Sequence, residues 1–295
     1  MLPAMKPVLS AHRQHPRRFE QFRFVYPVLS RRAHGISLGV NVNPDKICNF
    51  DCLYCQVDRA TASPIQDFDL AVAELELREL IAIVESGELA RHPPFDTVPA
   101  ELLRLNDIAL SGDAEPTTLP RFADTIAMIA RVKPPPVKIV LITDAAGLDR
   151  ADVRRGLAIM DAHQGEVWAK LDAGTDGYFQ QINRTKIPFA RILKNITATA
   201  RQRPVVIQSL FVRLRGEGPS AAEIGAYCDR LREIVAGGGR IRRVQIYTVA
   251  RPPRAMIEGV PAGELVRALA DAAVAEIAAR VGGETGLTTE SFCGG

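Results

Sequence analysis

The chain alternates strand-like and helix-like segments about six times, and this alternation restricts the fold more than any other feature of the sequence. Alternating or β-branched runs predict strands at 36–42, 107–110, 137–142, 166–172, 205–212 and 244–249. Apolar residues at helical spacing predict helices at 69–85, 122–132, 150–162, 189–201, 221–235 and 262–281. Repeated βα units form a parallel sheet, so we expect an α/β fold that curls into a partial or complete barrel.

Composition adds two limits. The 295 residues are 47% hydrophobic, which is enough for a core, and no apolar run approaches the roughly 20 residues that a membrane-spanning helix needs. We therefore expect no association with a membrane. Five cysteines, three of them clustered, indicate a metal and a reducing compartment, which predicts a cytoplasmic protein.

The first 32 residues are strongly basic, although the whole chain carries a net charge of only +3. They contain one acidic residue, Glu20, and these cationic residues: Lys6, Arg13, Arg17, Arg18, Arg23, Arg31 and Arg32. An arginine-rich, acid-poor segment is typical of a transit peptide or of an arm that contacts nucleic-acid phosphates. It is also compatible with a solvated extension that covers one end of the fold.

Three cysteines in the spacing C-x-x-x-C-x-x-C, Cys48, Cys52 and Cys55, follow the first predicted strand. Three thiolates this close together can bind three irons of a cubane iron–sulfur cluster and leave the fourth iron without a protein ligand. Electron-transfer clusters normally have four cysteine ligands, whereas an open position is typical of a catalytic metal site. A structural zinc site is disfavoured because no second ligand pair is present, and a disulfide would leave one cysteine of the three unpaired.

Polar side chains recur near the ends of four predicted strands. Those that share a face of a strand are Asn41 with Asn43, Lys170 with Asp172, and Gln245 with Tyr247, and Gln208 stands alone. The active site of a βα barrel lies at the C-terminal ends of its strands, and a packed interior would prefer Val, Ile and Leu there. We therefore predict a polar, ligand-binding cavity. The alternative is that Lys170 and Asp172 form a structural ion pair.

Two motifs together resemble one known family. The first is the cysteine loop with Tyr54 just before its last cysteine, and the second is segment 111–117, Ser-Gly-Asp-Ala-Glu-Pro-Thr, which resembles a Gly-Gly-Glu-Pro motif. In this order they are similar to the radical S-adenosylmethionine (SAM) superfamily. The resemblance implies a partial (βα)6 TIM-like barrel over residues 33–253, with the basic N-terminal extension 1–32 before it and a C-terminal helix and tail, 254–295, after it.

The resemblance also implies cofactors and a reaction. Cys48, Cys52 and Cys55 would bind one [4Fe-4S] cluster, and SAM would bind its open iron. An electron from a flavodoxin- or ferredoxin-type donor would cleave SAM to a 5′-deoxyadenosyl radical that abstracts hydrogen from the substrate. The cofactors carry the difficult chemistry, and the protein orients them and excludes water.

By the same resemblance, segment 112–116 would bond the methionine amino group of SAM, and other residues would contact its ribose, carboxylate and adenine. The predicted cofactor contacts are Tyr54, Gly112, Asp113, Ala114, Glu115, Pro116, Thr143, Asp144, Lys170, Asp172, Gln208, Tyr247 and Thr248. Two positions depart from the family. Ala114 replaces a glycine, and Asp144 stands where relatives usually have asparagine, which removes an amide donor.

Further segments resemble a compact branch grouped with wyosine-type tRNA-modifying enzymes such as 4-demethylwyosine synthase. They are 30–32, 37–39, 55–59, 170–173, 182–184 and 247–253. This likeness predicts a tRNA base as substrate, with the basic N-terminal segment on the RNA; a small molecule or a peptide is the alternative. That synthase binds a second cluster through extra N-terminal cysteines, and residues 1–47 contain none.

Two cysteines lie outside the motif. Some radical SAM enzymes use a thiol to return a hydrogen atom, so Cys293 in the C-terminal tail is a catalytic candidate beside Lys170 and Asp172. The alternative is an incidental thiol near a chain end. Cys228 lies in a predicted amphipathic helix and is interpreted as a core residue.

Overall fold

In the computed structural model, which describes residues 9–13 and 17–292, a sheet of eight strands forms the centre of the molecule. The strands are β1 Val25–Ser30, β2 Gly35–Val40, β3 Leu105–Leu110, β4 Lys138–Thr143, β5 Glu166–Lys170, β6 Val205–Leu210, β8 Ile241–Tyr247 and β12 Thr289–Phe292, in that spatial order. All neighbours are parallel except β1 and β2. Two small antiparallel ladders pair β7 Val212–Leu214 with β11 Val266–Ala268, and β9 Met256–Ile257 with β10 Val260–Pro261.

Helices lie before and between the strands. They are α1 Ser10–Arg13, α2 Leu70–Glu85, α3 Phe122–Val132, α4 Ala151–Ala162, α5 Asp176–Asn183, α6 Phe189–Gln202, α7 Ala221–Ala236, α8 Ala262–Leu265 and α9 Asp271–Thr285, with 3-10 turns at Glu88–Arg91, Phe95–Thr97, Ala100–Leu102 and Pro116–Thr118. Caps fix where two of the long helices begin: Asp69 accepts the first amides of α2, and Ser220 does so for α7. Over the described ranges 9–13 and 17–292, none of the helices is both long and apolar enough to cross a bilayer.

The main core lies between the sheet and its helices. Strands β2 and β6 are buried along their whole length, as expected of parallel strands covered on both faces. Leu77 and Leu80 of α2 and Ile126 and Ile129 of α3 are fully buried in the same cluster. On the inner face of the sheet only a small apolar group fills the space, namely Ala109, Val140, Trp168 and Val206.

This architecture confirms the predicted α/β partial barrel. The strands β2, β3, β4, β5, β6 and β8 are the six predicted from the alternation, with small differences at their ends. Two more strands extend the sheet: β1 within the basic segment 1–32, and β12 within the segment 254–295. Pro27 interrupts the strand pattern of β1, and β12 is only four residues long, so neither strand has a clear local signal.

The helix predicted over 262–281 is wrong in its first half. The chain forms the single turn α8, then β11, and only α9 is a long helix. Strand β11 pairs with β7, and the Leu269 N–H donates to Thr248 Oγ1 at 2.9 Å. Tertiary pairing has therefore outweighed the local preference for helix. Helix α5 was not predicted.

Candidate active site

A cavity of about 1260 Å³ lies along the inner face of the sheet. Small-molecule sites are typically about 300–1000 Å³, so this one has room for more than one bound group. Inward-facing residues of successive strands line it, including Asp107 of β3, Lys170 of β5 and Tyr247 of β8. A closed βα barrel would fill such positions with Val, Ile and Leu. The polar inner face is therefore the wall of a binding cavity.

The cysteine loop is anchored to the end of α5. The Leu53 N–H donates to the Ile182 carbonyl at 2.9 Å, and the Asp51 N–H donates to the Asn183 carbonyl at 3.3 Å. Arg184 also lies 2.7 Å from the Asp51 carboxylate. This anchoring directs three thiols toward the cavity: Cys48, Cys52 and Cys55.

A nitrogen donor lies beside each of two of these sulfurs. Arg59 Nη1 lies 3.3 Å from Cys55 Sγ, and Asn183 Nδ2 lies 3.6 Å from Cys52 Sγ. Burial raises the pKa of the Cys48 thiol to about 11 and that of Cys52 to about 12. Such thiols stay protonated near neutral pH until a metal displaces the proton. Hydrogen bonds to sulfur are one means by which a protein sets the potential of an iron–sulfur cluster.

The three thiols line one cavity, which is compatible with the predicted iron–sulfur cluster. Within residues 9–13 and 17–292, no three His, Cys, Asp or Glu side chains converge on one metal position. In a cubane cluster each cysteine thiolate binds a different iron, so the three cysteine sulfurs need not converge on one point. Two buried oxygens of cavity residues, Asp144 Oδ2 and Asn183 Oδ1, also have no hydrogen-bond partner among the described residues. Buried polar atoms are normally paired, so this wall is shaped to meet a polar ligand.

The loop after β3 is fixed by side chains from three other segments. Asn41 Nδ2 and Arg17 Nη1 donate to the Asp113 carboxylate at 2.8 Å and 2.7 Å. Arg59 Nη2 donates to the Asp113 carbonyl at 3.4 Å, which joins this loop to the cysteine loop. A Cβ atom on Gly112 would lie 2.3 Å from Asn41 Oδ1, so this close approach requires glycine.

Glu115 connects the ends of β3 and β4. Its carboxylate accepts hydrogen bonds from the N–H and Oγ1 of Thr117, from Thr143 Oγ1 and from the Asp144 N–H. Burial, and then the neighbouring Glu115, raises the pKa of Asp144 well above its ordinary value. Burial also raises the pKa of Glu115, although four donors favour its charged form, so each of the two carboxyls opposes ionisation of the other. When protonated, the Asp144 carboxyl would have one O–H donor in place of the amide donor that aspartate lacks.

Lys170 and Asp172 form a buried ion pair in which only the lysine reaches the cavity. Lys170 Nζ lies 2.9 Å from Asp172 Oδ1 and donates to the Tyr247 hydroxyl at 2.7 Å. Asp172 also accepts from the Leu210 N–H at 2.9 Å and from the Tyr54 hydroxyl. Burial opposes a charged lysine, but Asp172 and Tyr247 outweigh burial and raise the pKa of Lys170. Lys170 is therefore a fixed cation on the wall, with Asp172 behind it.

A polar row continues from Lys170 across the sheet. Gln208 is in register with Lys170 and with Gln245, and Gln245 is in register with Glu290 of β12. Gln208 donates to Gln245 at 2.9 Å, and Gln245 donates to Glu290 at 3.0 Å. Both glutamines are fully buried, so they support the wall from within the sheet.

Most of the predicted contact residues meet at this cavity. Those that line it, besides the three cysteines, are Tyr54, Gly112, Asp113, Ala114, Glu115, Pro116, Thr143, Asp144, Lys170, Tyr247 and Thr248. Asp172 and Gln208 lie behind the wall and do not face the cavity. Cys293 lies outside the described residues.

Sequence reasoning missed a set of cavity arginines as site residues. They are Arg17, Arg18, Arg31, Arg32, Arg59, Arg251 and Arg254. Several belong to segments noted above for their likeness to a family branch, 30–32, 55–59 and 247–253. Nothing in local spacing indicates that these segments meet in space, so only the fold reveals the grouping.

Comparisons with known proteins give remote sequence relatives. No family model matches the chain. A UPF0026 protein of Helicobacter pylori (strain J99) is 26% identical over 235 residues, which are 77% of this chain and 66% of that protein. The UPF0026 protein MJ1312 of Methanocaldococcus jannaschii is 29% identical over 163 residues, which are 54% of this chain and 43% of that protein. The matched part thus spans at most about two thirds of these relatives.

Solved structures identify the fold. A radical SAM methyltransferase from Sphaerobacter thermophilus superposes with a TM-score of 0.60 and 12% identity, over 91% of this chain and 69% of that one. The chain therefore has the fold of a radical SAM enzyme. An archaeal TYW1 structure gives a TM-score of 0.46 and 11% identity over 86% of this chain and 73% of its own. That value is too low to support the wyosine-type branch, which stays a prediction.

Proposed function

We propose that this protein is a radical SAM enzyme that binds one [4Fe-4S] cluster through Cys48, Cys52 and Cys55, binds SAM beside it, and acts on a tRNA base. One observation carries the proposal: the three cysteines, the loop 112–116 and Lys170 face a single cavity inside a barrel of the radical SAM fold. When bound, the reduced cluster and SAM supply the one-electron bond cleavage and the organic radical that removes hydrogen from a substrate.

The residues of this chain would bind and orient these groups. The three thiolates would hold the cluster, with Arg59 and Asn183 donating to the sulfurs. Loop 112–116, fixed through Asp113, would meet the methionine end of SAM. Asp172 sets the positions of Lys170 and Tyr54, so it acts as a positioning residue. Thr248 of the cavity wall is held through its bond from the Leu269 N–H.

Support for RNA as substrate comes from charge. Arginines of the basic N-terminal segment, such as Arg17 and Arg32, lie on the cavity wall, where they can meet an anionic substrate. The wyosine-like segments 30–32, 55–59 and 247–253 line the same cavity, which agrees with the proposed branch. A small molecule is the second candidate substrate, because these cations surround an internal cavity. A flavodoxin- or ferredoxin-type donor in the cytoplasm would supply the electron.

The test is release of 5′-deoxyadenosine by the anaerobically reconstituted, dithionite-reduced protein. We expect about four irons per chain and steady release from SAM. Unmodified bulk tRNA with pyruvate should stimulate release if the substrate is a tRNA base. If tRNA with pyruvate does not stimulate release, the tRNA proposal is contradicted and a small molecule or a peptide is favoured as substrate.

Matched cysteine variants separate cluster binding from general effects on folding. Cys52→Ser should lose the cluster, measured as bound iron and sulfide, and with it 5′-deoxyadenosine release. Cys228→Ala is the control, because Cys228 is buried in α7 and does not line the cavity. Full cluster content in Cys52→Ser, or equal loss in both variants, would contradict the ligand assignment.

A further inference from the structure

The described wall of the cavity carries an excess of positive charge. Nine cationic side chains line it, against five acidic ones: Asp58, Asp107, Asp113, Glu115 and Asp144. The whole chain has a net charge of only +3, so cations are concentrated at this place. A cavity lined by one sign of charge attracts ligands of the opposite sign.

Four of these cations form a group that we call the arginine cluster. It consists of Arg17, Arg31, Arg32 and Arg251, which come from three separate segments of the chain. Arg251 is fixed next to the cysteine loop, since its Nη2 donates to Gln56 Oε1 at 2.5 Å and its carbonyl accepts from Gln56 Nε2 at 3.3 Å. The Nε atom of Arg251 is buried and has no hydrogen-bond partner among the described residues.

Aromatic rings hold another member of the arginine cluster. The guanidinium carbon of Arg32 lies 4.8 Å from the ring centroid of Tyr247 and 6.0 Å from that of Trp168. Stacking on aromatic faces fixes the plane of the guanidinium and leaves its edge donors available. The Tyr247 hydroxyl also accepts from Lys170, which brings a fifth cation close to the arginine cluster.

Arg251 is repelled by the other guanidinium groups of the arginine cluster. Burial, together with the guanidinium groups of Arg17, Arg31 and Arg32, lowers the pKa of Arg251 to about 10. Asp113 offsets the charge of Arg17 at 2.7 Å. Like charges held close together on a cavity wall are typical of a site where a ligand of opposite charge compensates them.

We propose that the arginine cluster binds a phosphate group of the substrate, in the same cavity as the cluster cysteines. Guanidinium groups match the oxygens of phosphate with paired donors, and several converging arginines suit an anion with three or more oxygens. An RNA phosphodiester and a phosphorylated small molecule both present this chemistry. The inference rests on the proposed function, because it names the class of substrate for that site.

The experiment measures anion binding to the full chain with its iron–sulfur cluster reconstituted. Inorganic phosphate, AMP and a short RNA are titrated at constant ionic strength, with chloride as the reference. Binding is followed by the unfolding temperature and by the fluorescence of Trp168, the only tryptophan of the chain. Ligands that bind only the folded state raise the unfolding temperature by mass action. We expect phosphate to raise it and to change the fluorescence, since Arg32 lies beside Trp168.

Variants of the arginine cluster make the result specific. Arg251→Gln and, independently, Arg32→Gln should weaken phosphate binding at least about tenfold, which corresponds to about 1.4 kcal/mol. Arg251→Lys should recover part of the affinity, because it restores the charge without the planar fork. Arg155→Gln is the control: Arg155 is exposed in α4, pairs with Asp152 and lies away from the cavity, so its affinity should equal that of the wild type. Iron content and circular dichroism confirm that each variant is folded.

Three results would overturn the inference. The first is the absence of phosphate, AMP and RNA binding in the wild type. The second is wild-type affinity for phosphate in both Arg251→Gln and Arg32→Gln, and the third is competition of phosphate with SAM for one site. Tighter binding of RNA than of AMP, or the reverse, supports the inference and identifies the source of the phosphate. Measurement of 5′-deoxyadenosine release without phosphate separates the two proposals. Release without phosphate binding leaves the proposed function intact, and phosphate binding without release contradicts the proposed function alone.

Discussion

Asp172 is a residue whose side chain has no exposed surface, and yet it sets the positions of two residues that face the cavity. Its carboxylate accepts from Lys170, Tyr54 and the Leu210 N–H, so all of these groups depend on its charge. The sequence left open whether Lys170 and Asp172 form an ion pair or line a cavity. Both interpretations hold in part: the two residues form a buried ion pair, and Lys170 also lines the cavity.

Replacing Asp172 should therefore destabilise the folded protein. Asp172→Asn leaves the charge of Lys170 buried without a counter-ion, and we expect the free energy of unfolding to fall by about 3–5 kcal/mol in urea denaturation. Asp161→Asn is the control, because Asp161 is exposed to solvent and its pair with Arg203 should contribute only about 1 kcal/mol. An equal decrease in the free energy of unfolding in the two variants would show that the buried pair stabilises the protein no more than the Asp161 pair does.

Asp107 should make stability depend on pH. Burial raises the pKa of Asp107 from 3.8 to about 6, although the Ser37 hydroxyl donates to its carboxylate at 2.5 Å. The folded state thus binds this proton more tightly than the unfolded state. The contribution of Asp107 to stability is full below pH 3.8 and is lost as pH rises through 6, a change of about 3 kcal/mol.

The Asp107→Asn variant removes this titration. Compared with the wild type, its free energy of unfolding should decrease less between pH 4 and pH 8, by an amount on the order of 1–3 kcal/mol. Urea denaturation at several pH values measures the difference. A wild-type slope in Asp107→Asn would refute the assignment of this titration to Asp107.

At the scale of elements, glycine sets how closely the loop after β5 approaches α7. A Cβ atom on Gly174 would lie 2.1 Å from the Tyr227 nitrogen and 2.5 Å from the Ala226 carbonyl carbon, and backbone atoms cannot move aside. Gly177 lies three residues further on, in α5, with nothing within 4 Å of such an atom. These two glycines therefore form a matched pair.

Alanine at these two positions should have opposite effects. Gly174→Ala should lower the free energy of unfolding by about 1–3 kcal/mol or more, because it forces α7 away from the sheet. Gly177→Ala should raise it by roughly 0.5–1 kcal/mol through helix propensity. Thermal unfolding of both variants is the measurement, and a loss of stability in both would contradict the packing described.

At the scale of the whole molecule, β12 brings the end of the described chain back to the sheet. It pairs in parallel with β8, and its Phe292 lines the cavity. Removing residues 288–295 would leave β8 as an exposed edge, which favours association between molecules. The loss of β12 would also open one side of the cavity.

Two truncations test this role. A chain that ends at Leu287 should unfold at least about 2 kcal/mol more easily and should aggregate on heating, as followed by light scattering. A chain that ends at Phe292 keeps β12 and should be as stable as the full chain. Product formation by this second chain also tests Cys293, because a required hydrogen donor would be missing. Equal stability of the two truncated chains would contradict the role given to β12.

The sequence by itself determined the six parallel strands and the cysteine loop. Both depend on local patterns: strand and helix periods repeat within a few residues, and the three thiols lie within one short loop. Weak local signals account for what it missed, since β1 contains Pro27 and β11 forms only by pairing with β7. At β11, local propensity favoured a helix, and the tertiary pairing with β7 outweighed it.

Only the tertiary structure decided which side chains share the cavity. Arg17 meets Asp113, and Arg251 meets Gln56, across separations of 96 and 195 residues along the chain. No periodicity in the sequence encodes such contacts, because they arise from the way the sheet curls and its two edges are extended. For the same reason, the position of Asp172 behind the wall and the grouping of the arginines follow from the fold and not from the spacing of residues.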